Sequence, residues 1–415
     1  MFSFEENRKL IVDFIRGSLK ATEREAVGLL RHPYISPGSS AYATHLWDWD
    51  SYWTILAALR ISRENNDDAF LEELRPFAKG TFVNFLEHQG DDGALPICME
   101  PVRGDLFDCL DSSDNNMAKP FIAQLGKLLM DYGMIAADEM ANYLDRIAAF
   151  HDCYDKRYLD SRTGLVFWAK DWGIGVDDDP ATWGRPPKSS GSVFLNSILC
   201  RDSQSLAEIA KACGRGDLAA KAEERAKRIV AALEKYCWDE REKAFFTVDL
   251  QCHPNIDVCT YTTLNTNLET FWHCLKLKVL LWHSILPFFI GAGTDEQFSA
   301  YLRENMTPER LRSKYGVRAL SADEAMYRPE EERGNPSNWL GPIWIVVNYI
   351  VAETMLARGH HDDARKLWAD VVEILANDLR ANGAFHEYYS PESGLGINNK
   401  GFMSWNALAG AEVIR

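Results

Sequence analysis

The stretch LAEIAKACGRGDLAAKAEERAKRIVAAL, residues 206–233, predicts a pair of helices. Its second half repeats small and aliphatic residues at three- and four-residue spacing, which places them along one side of a helix. The residues before Gly214-Arg-Gly216 also have a helical pattern, and the two glycines separate the halves. Two helices joined by so short a turn form a helical hairpin. The apolar stripe of the second helix consists of Leu218, Ala222, Ala226, Ile229 and Leu233.

A second hairpin follows the same plan nearer the C-terminus. Residues 344–357 and 362–379 have helical patterns, Arg358-Gly-His-His361 separates them, and Asp362 is a candidate N-cap. About twelve helical segments are expected along the chain. They begin near Glu5, Ser51, Asp67, Met117, Ala137, Ser189, Asp217, Thr263, Thr294, Gly341, Asp362 and Phe402.

These hairpins predict an all-α fold, an (α/α)6 barrel in which six inner and six outer helices form a toroid. Strand-like patterns are confined to residues 165–168 and 244–248, and no linker divides the chain, so that residues 1–415 are expected to form a single domain. Long loops at one face of the toroid would form a bowl. The aromatic-rich stretches that are candidates to line it are residues 32–53, 89–116, 165–188, 333–344 and 383–405.

Charge and cysteine content exclude several classes of protein. With a net charge of −16 and no basic stripe, the chain is not expected to bind nucleic acid. The most apolar run, residues 279–290, is too short for a membrane span, which requires about 20 apolar residues, and is interpreted as a buried helix end. The nine cysteines form no CxxC pair, which argues against zinc or disulfides and favours the cytoplasm. A homo-oligomer stays open.

Aromatic and acidic residues cluster in His45-Leu-Trp-Asp-Trp-Asp-Ser-Tyr-Trp53. Tryptophan rings stack on the apolar face of a pyranose, and carboxylates accept strong hydrogen bonds from sugar hydroxyls. Trp49, Asp50 and Trp53 are therefore candidates to bind a sugar. The alternative is the start of an amphipathic helix, with Asp48 or Asp50 as a cap and the tryptophans in the core.

Three consecutive carboxylates occur in Asp171-Trp-Gly-Ile-Gly-Val-Asp-Asp-Asp-Pro-Ala-Thr-Trp183. Neighbouring carboxylates raise one another's pKa, and burial against tryptophan raises the pKa further, which keeps one carboxyl protonated as a general acid requires. Two other interpretations stay open. One is a solvated acidic turn before Pro180, and the other is a calcium loop, although the spacing does not match the EF-hand pattern.

A glutamate stands among aromatic residues in Gly383-Ala-Phe-His-Glu-Tyr-Tyr389, far downstream of Asp177. Breaking a glycosidic bond requires two carboxyl groups, one to protonate the leaving oxygen and one to activate water or to attack. Asp177 and Glu387 are a candidate pair. Glu387 as a helix cap or salt-bridge partner stays open, and His386 is either a base in its own right or a structural residue.

The stretch Asn335-Pro-Ser-Asn-Trp-Leu-Gly-Pro-Ile-Trp344 leads into an apolar helical segment. Pro342 is favoured in a first helical turn, and Gly341 allows another group to approach the backbone closely. Trp339 and Trp344 either face a ligand or belong to the core.

Taken in order, these stretches resemble glycoside hydrolase family 63, a family of (α/α)6 glycosidases with trehalases as near relatives. Trp49-Asp-Ser-Tyr-Trp53 is similar to the WDSxF/W element that both share, and Gly175-Val-Asp177 with Pro180 is similar to SGxDNxP. Trp339-Leu-Gly-Pro-Ile-Trp344 resembles the start of WRGPxWxxxNY. The C-terminal stretches Glu387-Tyr-Tyr-Ser-Pro-Glu-Ser-Gly394 and Phe402-Met-Ser-Trp405 resemble ENYxPxTG…FSW.

The chain departs from the family pattern at several positions. Asp178 stands where asparagine is usual, so that the acid is either Asp177 or Asp178. Ala118-Lys-Pro120 stands in place of the QPP element and Leu340 in place of the arginine of WRGP, which leaves the substrate open. The trehalase element QWDYPxGW is absent, which counts against trehalase.

The resemblance implies an inverting, exo-acting α-glycosidase, most simply an α-glucosidase, that hydrolyses a short oligosaccharide or a small glycoside such as glucosylglycerate or mannosylglycerate. Asp177 would be the general acid and Glu387 the general base, and no metal or cofactor is expected. The residues expected to bind the substrate are Trp49, Asp50, Trp53, Asp178, Trp183, Trp339, Gly341, Tyr388 and Trp405.

Two other classes of protein stay open. A sugar epimerase or lyase on the same toroid would use a histidine such as His283 or His386 as its base, and a non-catalytic relative would bind carbohydrate without turnover. Arg185 and Lys188 either pair with an anionic aglycone such as glycerate or form a solvated basic turn.

Overall fold

The fold is helical, and the computed structural model describes residues 2–39, 42–252, 273–330 and 336–412. Twelve α-helices lie within these ranges. They are α1 (Phe4–Ser18), α2 (Asp48–Glu64), α3 (Asp68–Glu87), α4 (Ile122–Asp131), α5 (Ala137–Met140), α6 (Leu144–Tyr158), α7 (Val193–Ala212), α8 (Gly216–Ala232), α9 (Leu286–Phe289), α10 (Asp295–Asn305), α11 (Ile345–Ala357) and α12 (His361–Asn382).

Shorter helices and strands connect the α-helices. Three 3₁₀ helices cover Leu19–Thr22, Trp282–Ile285 and Ser404–Gly410, and a π-helix covers Leu233–Cys237. Strands of two or three residues pair antiparallel within the loops. They are β1 (Glu23–Arg24), β2 (Tyr34–Ile35), β3 (Leu46–Trp47), β4 (Cys98–Glu100), β5 (Gly104–Asp105), β6 (Ser190–Gly191), β7 (Trp238–Asp239), β8 (Ala244–Phe245), β9 (Val248–Asp249), β10 (Leu275–Lys276), β11 (Tyr388–Tyr389) and β12 (Gly396–Ile397).

The helices form two concentric rings. In the inner ring, α2 contacts the 3₁₀ helix Ser404–Gly410, which contacts α11, and the ring continues through α9 and α7 to α4. The side chains of Tyr52 and Trp53 on α2 close it, because their rings lie 5.0 and 5.7 Å from the ring of Phe121 at the start of α4. The outer ring consists of α1, α3, α6, α8, α10 and α12.

Burial distinguishes the two rings. Outer helix α8 buries one stripe. Of the five residues predicted for it, Ala222, Ala226 and Ile229 are buried in α8, Leu218 at its start is half-buried, and Leu233 is buried in the π-helix that follows. Inner helix α11 is buried on all sides from residue 345 to residue 352. A helix that is apolar all round belongs in the interior of a large protein, where neighbours cover every face.

Both predicted hairpins are confirmed, and both turn in the same way. Gly214 ends α7 and Gly359 ends α11 in the left-handed region, with φ of +74° and +82°. In the first turn the N–H groups of Gly214 and Arg215 donate to carbonyls of the last helical turn, at 3.1 and 2.8 Å. The Gly359 turn has the same two bonds. This is the Schellman motif, which favours glycine because it has no Cβ.

The predicted N-cap of the last long helix is wrong. Helix α12 begins at His361, so that Asp362 lies in its first turn rather than before it. Its carboxylate pairs with Arg365 one turn later, at 3.1 Å. An acidic residue in the first turn stabilises the positive end of the helix without capping it.

The predicted start of the preceding helix at Gly341 is also wrong. Helix α11 begins at Ile345, and Pro342 precedes it. The N–H and C=O of Ile343 bond to the C=O and N–H of Tyr389, at 2.8 and 3.0 Å. These bonds keep the backbone extended ahead of the helix.

Other segments differ in detail from the sequence-based expectation. Residues 165–168 form only a bridge between Val166 and Leu159, whereas residues 244–248 contain β8 and the start of β9. The run 279–290 is buried but forms two short helices instead of the end of a longer one. The segment predicted near Thr263 lies outside the described residues. None of the helices described is both long and apolar enough to cross a membrane.

Candidate active site

One cavity of about 420 Å³ opens between the loops and the ends of the inner helices. All of its lining residues except Lys119 come from the five stretches that the sequence predicted to form a bowl. The lining consists of Tyr42, Trp47, Trp49, Asp50, Ile97, Phe107, Lys119, Asp171, Trp172, Gly173, Gly175, Asp177, Trp183, Ser337, Glu387, Phe402 and Trp405.

The first turn of α2 supplies two buried carboxyl groups, of which that of Asp50 belongs to the cavity lining. Asp48 forms a buried ion pair with Lys119, with 2.9 Å between its Oδ1 and the lysine Nζ. Its second oxygen accepts the backbone N–H of Lys119 at 2.7 Å. Lys119 is the residue that stands in the element where the family resemblance expects QPP, and its side chain lines the cavity.

Asp50 faces the cavity one residue beyond Trp49. Burial raises the pKa of Asp50 to about 8, and the charges of Asp48 and Glu387 add to that rise, while the Lys119 ammonium opposes it. A carboxyl with such a pKa is a hydrogen-bond donor as well as an acceptor at neutral pH.

The three consecutive aspartates have three different environments. Asp177 lines the cavity. Asp178 turns away and accepts the N–H of Trp339 on its Oδ1 at 2.7 Å, and burial raises its pKa to about 7. Asp179 is buried, and its Oδ1 accepts the N–H of Ala181 at 2.8 Å. The alternative interpretation of these aspartates as a solvated acidic turn therefore does not hold for Asp179, which is buried.

The loop of residues 171–184 passes against α2 because Gly175 allows it to do so. Gly175 has a φ of +85°, and a Cβ at this position would lie 3.1 Å from the Trp49 ring and 3.2 Å from the Lys119 side chain. The base of the loop is closed by the N–H of Gly184, which donates to Asp171 Oδ2 at 2.8 Å. Asp177 thus projects into the cavity from a loop fixed at both ends.

Glu387 enters the cavity beside a residue that is fixed to α12. The Nδ1 of His386 lies 2.9 Å from the carboxylate of Asp378, which also accepts the His386 N–H and the Tyr389 hydroxyl. His386 is therefore a structural neighbour of Glu387 rather than a residue of the cavity lining.

Glu387 is 2% exposed, and its carboxyl group accepts hydrogen bonds from Asn399 and Tyr42. Burial raises the pKa of Glu387 to about 7, the charge of Asp177 adds to that rise, and both hydrogen bonds oppose it. Burial also raises the pKa of Tyr42, with further contributions from Glu387, Asp50 and Asp177. These four groups are thus within electrostatic reach of one another.

Tryptophan rings form the wall beneath these carboxyl groups. The ring of Trp49 lies edge-on to that of Trp405, with centroids 5.3 Å apart. Behind them, Trp339 and Trp344 stack in parallel at 4.1 Å. The apolar wall and the carboxyl groups above it match the two kinds of surface that a pyranose presents, its C–H face and its hydroxyls.

Six of the eleven predicted catalytic and binding residues line the cavity, and five do not. The six are Asp177, Glu387, Trp49, Asp50, Trp183 and Trp405.

The other five belong to the shell around it. Trp53 is buried between rings of inner helices, and Asp178 and Trp339 bond to each other. Gly341, with φ of +124°, allows the ring of Tyr327, not a ligand, to approach its backbone. Tyr388 is buried, and its hydroxyl donates to the carbonyl of Pro336 at 3.0 Å.

Tyr42, Phe107 and Asn399 are among the residues of the site that the sequence did not single out. Tyr42 stands among small and polar residues, and Phe107 lies beside Leu106 in a stretch without a periodic pattern. Asn399 offered a signal, since Asn398-Asn399 is an unusual pair and both residues have positive φ, which asparagine tolerates better than most residues. Their positions depend on contacts between distant parts of the chain.

The basic and histidine residues that the sequence singled out lie elsewhere. Arg185 pairs with Asp249, and Lys188 pairs with Asp114 at 2.6 Å, so that neither lines the cavity. His283 is buried, with 3.4 Å between its Nε2 and Asp179 Oδ2.

Comparison with known proteins gives a family for this arrangement. Residues 43–405 match the family model of the mannosylglycerate hydrolase MGH1-like glycoside hydrolase domain. The chain belongs to this glycoside hydrolase family. The predicted resemblance to glycoside hydrolase family 63 is thereby confirmed.

Two relatives share part of the sequence of this glycoside hydrolase domain. A probable mannosyl-oligosaccharide glucosidase of Schizosaccharomyces pombe is 28% identical over 250 residues, which are 56% of this chain and 28% of that protein. A mannosylglycerate hydrolase of Rubrobacter radiotolerans is 23% identical over 223 residues, 54% of this chain and 43% of that protein. The matched part of the chain thus spans less than half the length of either relative.

A solved structure shares the whole fold. The family 63 mannosylglycerate hydrolase of Thermus thermophilus, in complex with glucose, superposes with a TM-score of 0.69, covering 95% of this chain and 98% of that one at 21% identity. This likeness confirms the predicted (α/α)6 toroid.

Proposed function

We propose that the protein is an inverting, exo-acting α-glycosidase that hydrolyses a short oligosaccharide or small glycoside, most simply as an α-glucosidase. Asp177 protonates the glycosidic oxygen, and Glu387 deprotonates the water that attacks the anomeric carbon from the opposite side. One observation carries the proposal: both carboxyl groups line the same cavity. Two carboxyl groups that flank one bond are the requirement of glycoside hydrolysis.

Asp177 is proposed as the acid in preference to Asp178. The Asp178 carboxylate is occupied by the backbone N–H of Trp339, and the residue is not among those that line the cavity. Asparagine, which is usual at this position in the resembling family, would accept the same N–H through its side-chain oxygen. The role of Asp178 is therefore to position the loop that carries Asp177.

The surroundings of Glu387 suit a general base. A base works best when its pKa lies near the pH of the reaction, and burial raises that of Glu387 to about 7. Asn399 and Tyr42 donate hydrogen bonds to its carboxylate, which favours the ionised form and orients it.

The sugar at the non-reducing end is proposed to occupy the buried part of the cavity. Trp49 and Trp405 would contact its apolar face, and Asp50 would hold a pair of its hydroxyls. The chemistry needs two carboxyl groups and a water, so no cofactor or metal is invoked.

A histidine-based epimerase or lyase receives less support from the same geometry. His283 and His386, its candidate bases, are directed to Asp179 and Asp378 and are absent from the cavity lining that the structure describes. A non-catalytic sugar-binding relative would retain the aromatic wall and would bind sugar in calorimetry without releasing a new reducing end.

We further propose that residues 1–415 form one catalytic domain that works in the cytoplasm. Eight cysteines lie in the described part of the chain, and all are free thiols, as in proteins of a reducing compartment.

Substrate profiling with matched variants tests the proposal. Glucosylglycerate, mannosylglycerate and neutral α-linked disaccharides would be supplied to the wild type and to Asp177→Asn, Glu387→Gln and Asp178→Asn. We expect the first two variants to lose roughly 10²–10⁴-fold in kcat, the range for general acid–base groups. Asp178→Asn should stay within about threefold of the wild type, since it keeps the acceptor for the Trp339 N–H.

Two results would refute the proposal. Full activity of Asp177→Asn with loss of activity in Asp178→Asn would reverse the assignment of the acid. Conversion of a sugar without release of a reducing end, insensitive to both Asp177→Asn and Glu387→Gln, would point to an epimerase or lyase.

A further inference from the structure

Two tryptophans at the cavity mouth are exposed to an extent unusual for their size. Trp172 is 47% exposed and Trp183 is 54% exposed, and they are the two exposed tryptophans in the described part of the chain. Both line the cavity, whereas Trp49 and Trp405 in the same lining are 3% and 4% exposed. The cavity thus has a buried floor and an exposed aromatic mouth. A large apolar surface left open beside a pocket marks a place where a ligand binds.

The loop of residues 171–184 brings these two side chains to the same place. Trp172 follows Asp171 in the sequence, and Trp183 precedes Gly184. The Gly184 N–H donates to Asp171 Oδ2 at 2.8 Å, and this bond closes the loop. The carbonyl of Trp172 also accepts a hydrogen bond from Asn116 at 2.8 Å. The backbone beneath both rings is therefore fixed before any ligand arrives.

One of the rings is fixed as well. Trp172 stacks on Phe107, with centroids 5.0 Å apart and an interplanar angle of 27°. One face of its indole is covered by Phe107, so that the other is available as a rigid platform. A preorganised aromatic surface binds at a low cost in side-chain entropy.

The same loop carries the proposed general acid, and this fixes which part of a substrate the tryptophans meet. A general acid touches the oxygen of the leaving group, so that the leaving group lies on the side of the cavity from which Asp177 projects. The sugar that is cleaved off occupies the buried floor beside Asp50 and Glu387, and the leaving group extends outward along the loop, past Trp172 and Trp183.

We propose that Trp172 and Trp183, the aromatic rim, form the binding subsite for a pyranose-sized leaving group, so that the preferred substrate is an α-linked disaccharide or longer saccharide. This inference rests on the proposed function and adds the class of aglycone to it. Two indole rings at the mouth match the apolar faces of a hexopyranose, whereas a small anion such as glycerate is bound most strongly by a cation. Of the described lining residues, Lys119 is the one cation, and its Nζ is paired with Asp48.

The test compares substrates that reach the rim with substrates that do not. The α-glucosyl and α-mannosyl fluorides have no aglycone sugar, whereas α-1,2-, α-1,3- and α-1,4-linked glucose and mannose disaccharides extend past Asp177. Each would be assayed with the wild type, Trp172→Ala, Trp183→Ala and Trp172→Phe. We expect each alanine variant to lose about tenfold in kcat/KM on the best disaccharide, as for one lost stacking contact, and to stay within about twofold on the fluorides.

The conservative variant distinguishes stacking from a structural effect. Trp172→Phe keeps an aromatic face on Phe107 and should recover most of the activity on the disaccharide. Equal losses on fluorides and disaccharides would overturn the proposal, since they would mean that the rim acts on the binding of the cleaved sugar or on Glu387 and not on the leaving group. Unchanged disaccharide activity in both alanine variants, or a wild-type kcat/KM for mannosylglycerate or glucosylglycerate above that for every disaccharide, would also overturn it.

The proposed function can fail separately from this inference. Hydrolysis of a glycosyl fluoride that is abolished in Glu387→Gln supports the glycosidase whatever the rim does. If no fluoride or saccharide is hydrolysed, the glycosidase proposal fails, and calorimetric binding of the disaccharides then decides the rim: about tenfold weaker binding in Trp172→Ala supports the subsite, and equal binding refutes it.

Discussion

At the scale of single residues, Glu387 governs the pH dependence of the proposed reaction. Burial raises its pKa to about 7, and the carboxylate must be ionised to accept a proton from water. We therefore expect kcat/KM, which reports the ionisations of the free enzyme, to increase with pH through about 7. A profile from about pH 5 to about pH 9 measures this rise. A rising limb centred near the ordinary glutamate value would contradict the assignment of Glu387 as a buried base.

The same raised pKa costs stability above neutral pH. The folded state holds the Glu387 proton more tightly than the unfolded state. The stabilisation of the fold by the protonated carboxyl is therefore fully present below about pH 4.5 and is lost as pH rises to about 7. Glu387→Gln should increase the free energy of unfolding by roughly 3 kcal/mol near pH 8 and by little near pH 4. Urea titrations at the two pH values check this. An equal effect at both would contradict it.

Lys119 and Asp48 form a pair that cannot be broken from one side without loss. Both side chains are almost fully buried, so that Lys119→Met leaves a buried carboxylate without its cation, a loss of about 3–5 kcal/mol in the free energy of unfolding. The double variant Lys119→Gln, Asp48→Asn replaces both charges by amides and should recover most of that loss. Chemical unfolding measures the free energy of unfolding of these variants and of Lys119→Gln and Asp48→Asn alone. If the losses of the two single variants add up to the loss of the double variant, the pairing is contradicted.

Sequence patterns identified the site residues that stand in acidic and aromatic stretches. They missed the residues that contacts between distant parts of the chain bring to the site. Asp177, Glu387, Asp50 and Trp49 stand in conspicuous stretches, and all four line the cavity. Tyr42 reaches it from a stretch without such a pattern. Raised pKa values were expected among the three consecutive aspartates from adjacent charges and from burial. Burial is the largest cause at Asp178 and also at Asp50 and Glu387, and the burial of an individual side chain is a property of the fold.

At the scale of elements, the loop of residues 171–184 depends on one glycine. In Gly175→Ala the new methyl group would meet the Trp49 ring and would strain a backbone with φ of +85°, whereas Gly214→Ala has a similar φ of +74° and open space around it. Both variants should lose about 1–2 kcal/mol of stability from the left-handed backbone. Only Gly175→Ala should also lose at least about tenfold in kcat/KM, because the loop carries Asp177. Equal kinetics in the two variants would contradict this account.

The helical hairpins were predictable because their signals are local. An apolar stripe and a terminal glycine within a few residues specify α7, α8 and the turn between them. The starts of α11 and α12 were misplaced by a few residues, and for α11 the physical reason is clear. The bonds of Ile343 to Tyr389, far later in the chain, delay the start of α11, and no local pattern contains them.

At the scale of the whole molecule, the toroid gathers loops from the entire chain at one cavity. The aromatic-rich stretches were predicted to form its lining, and all lining residues but Lys119 come from them. Aromatic content does not specify which side chains of a stretch face the bowl. For that reason Trp53, Trp339 and Tyr388, predicted to contact substrate, lie in the shell behind the lining.

The anomeric configuration of the first product distinguishes a general base from a nucleophile at Glu387. Proton NMR would follow the hydrolysis of an α-linked substrate from its first minutes, before the product mutarotates. An acid at Asp177 and a base at Glu387 acting on opposite sides of the sugar predict that the β-anomer appears first. Initial release of the α-anomer would contradict the account, because it would make Glu387 a nucleophile instead of a base.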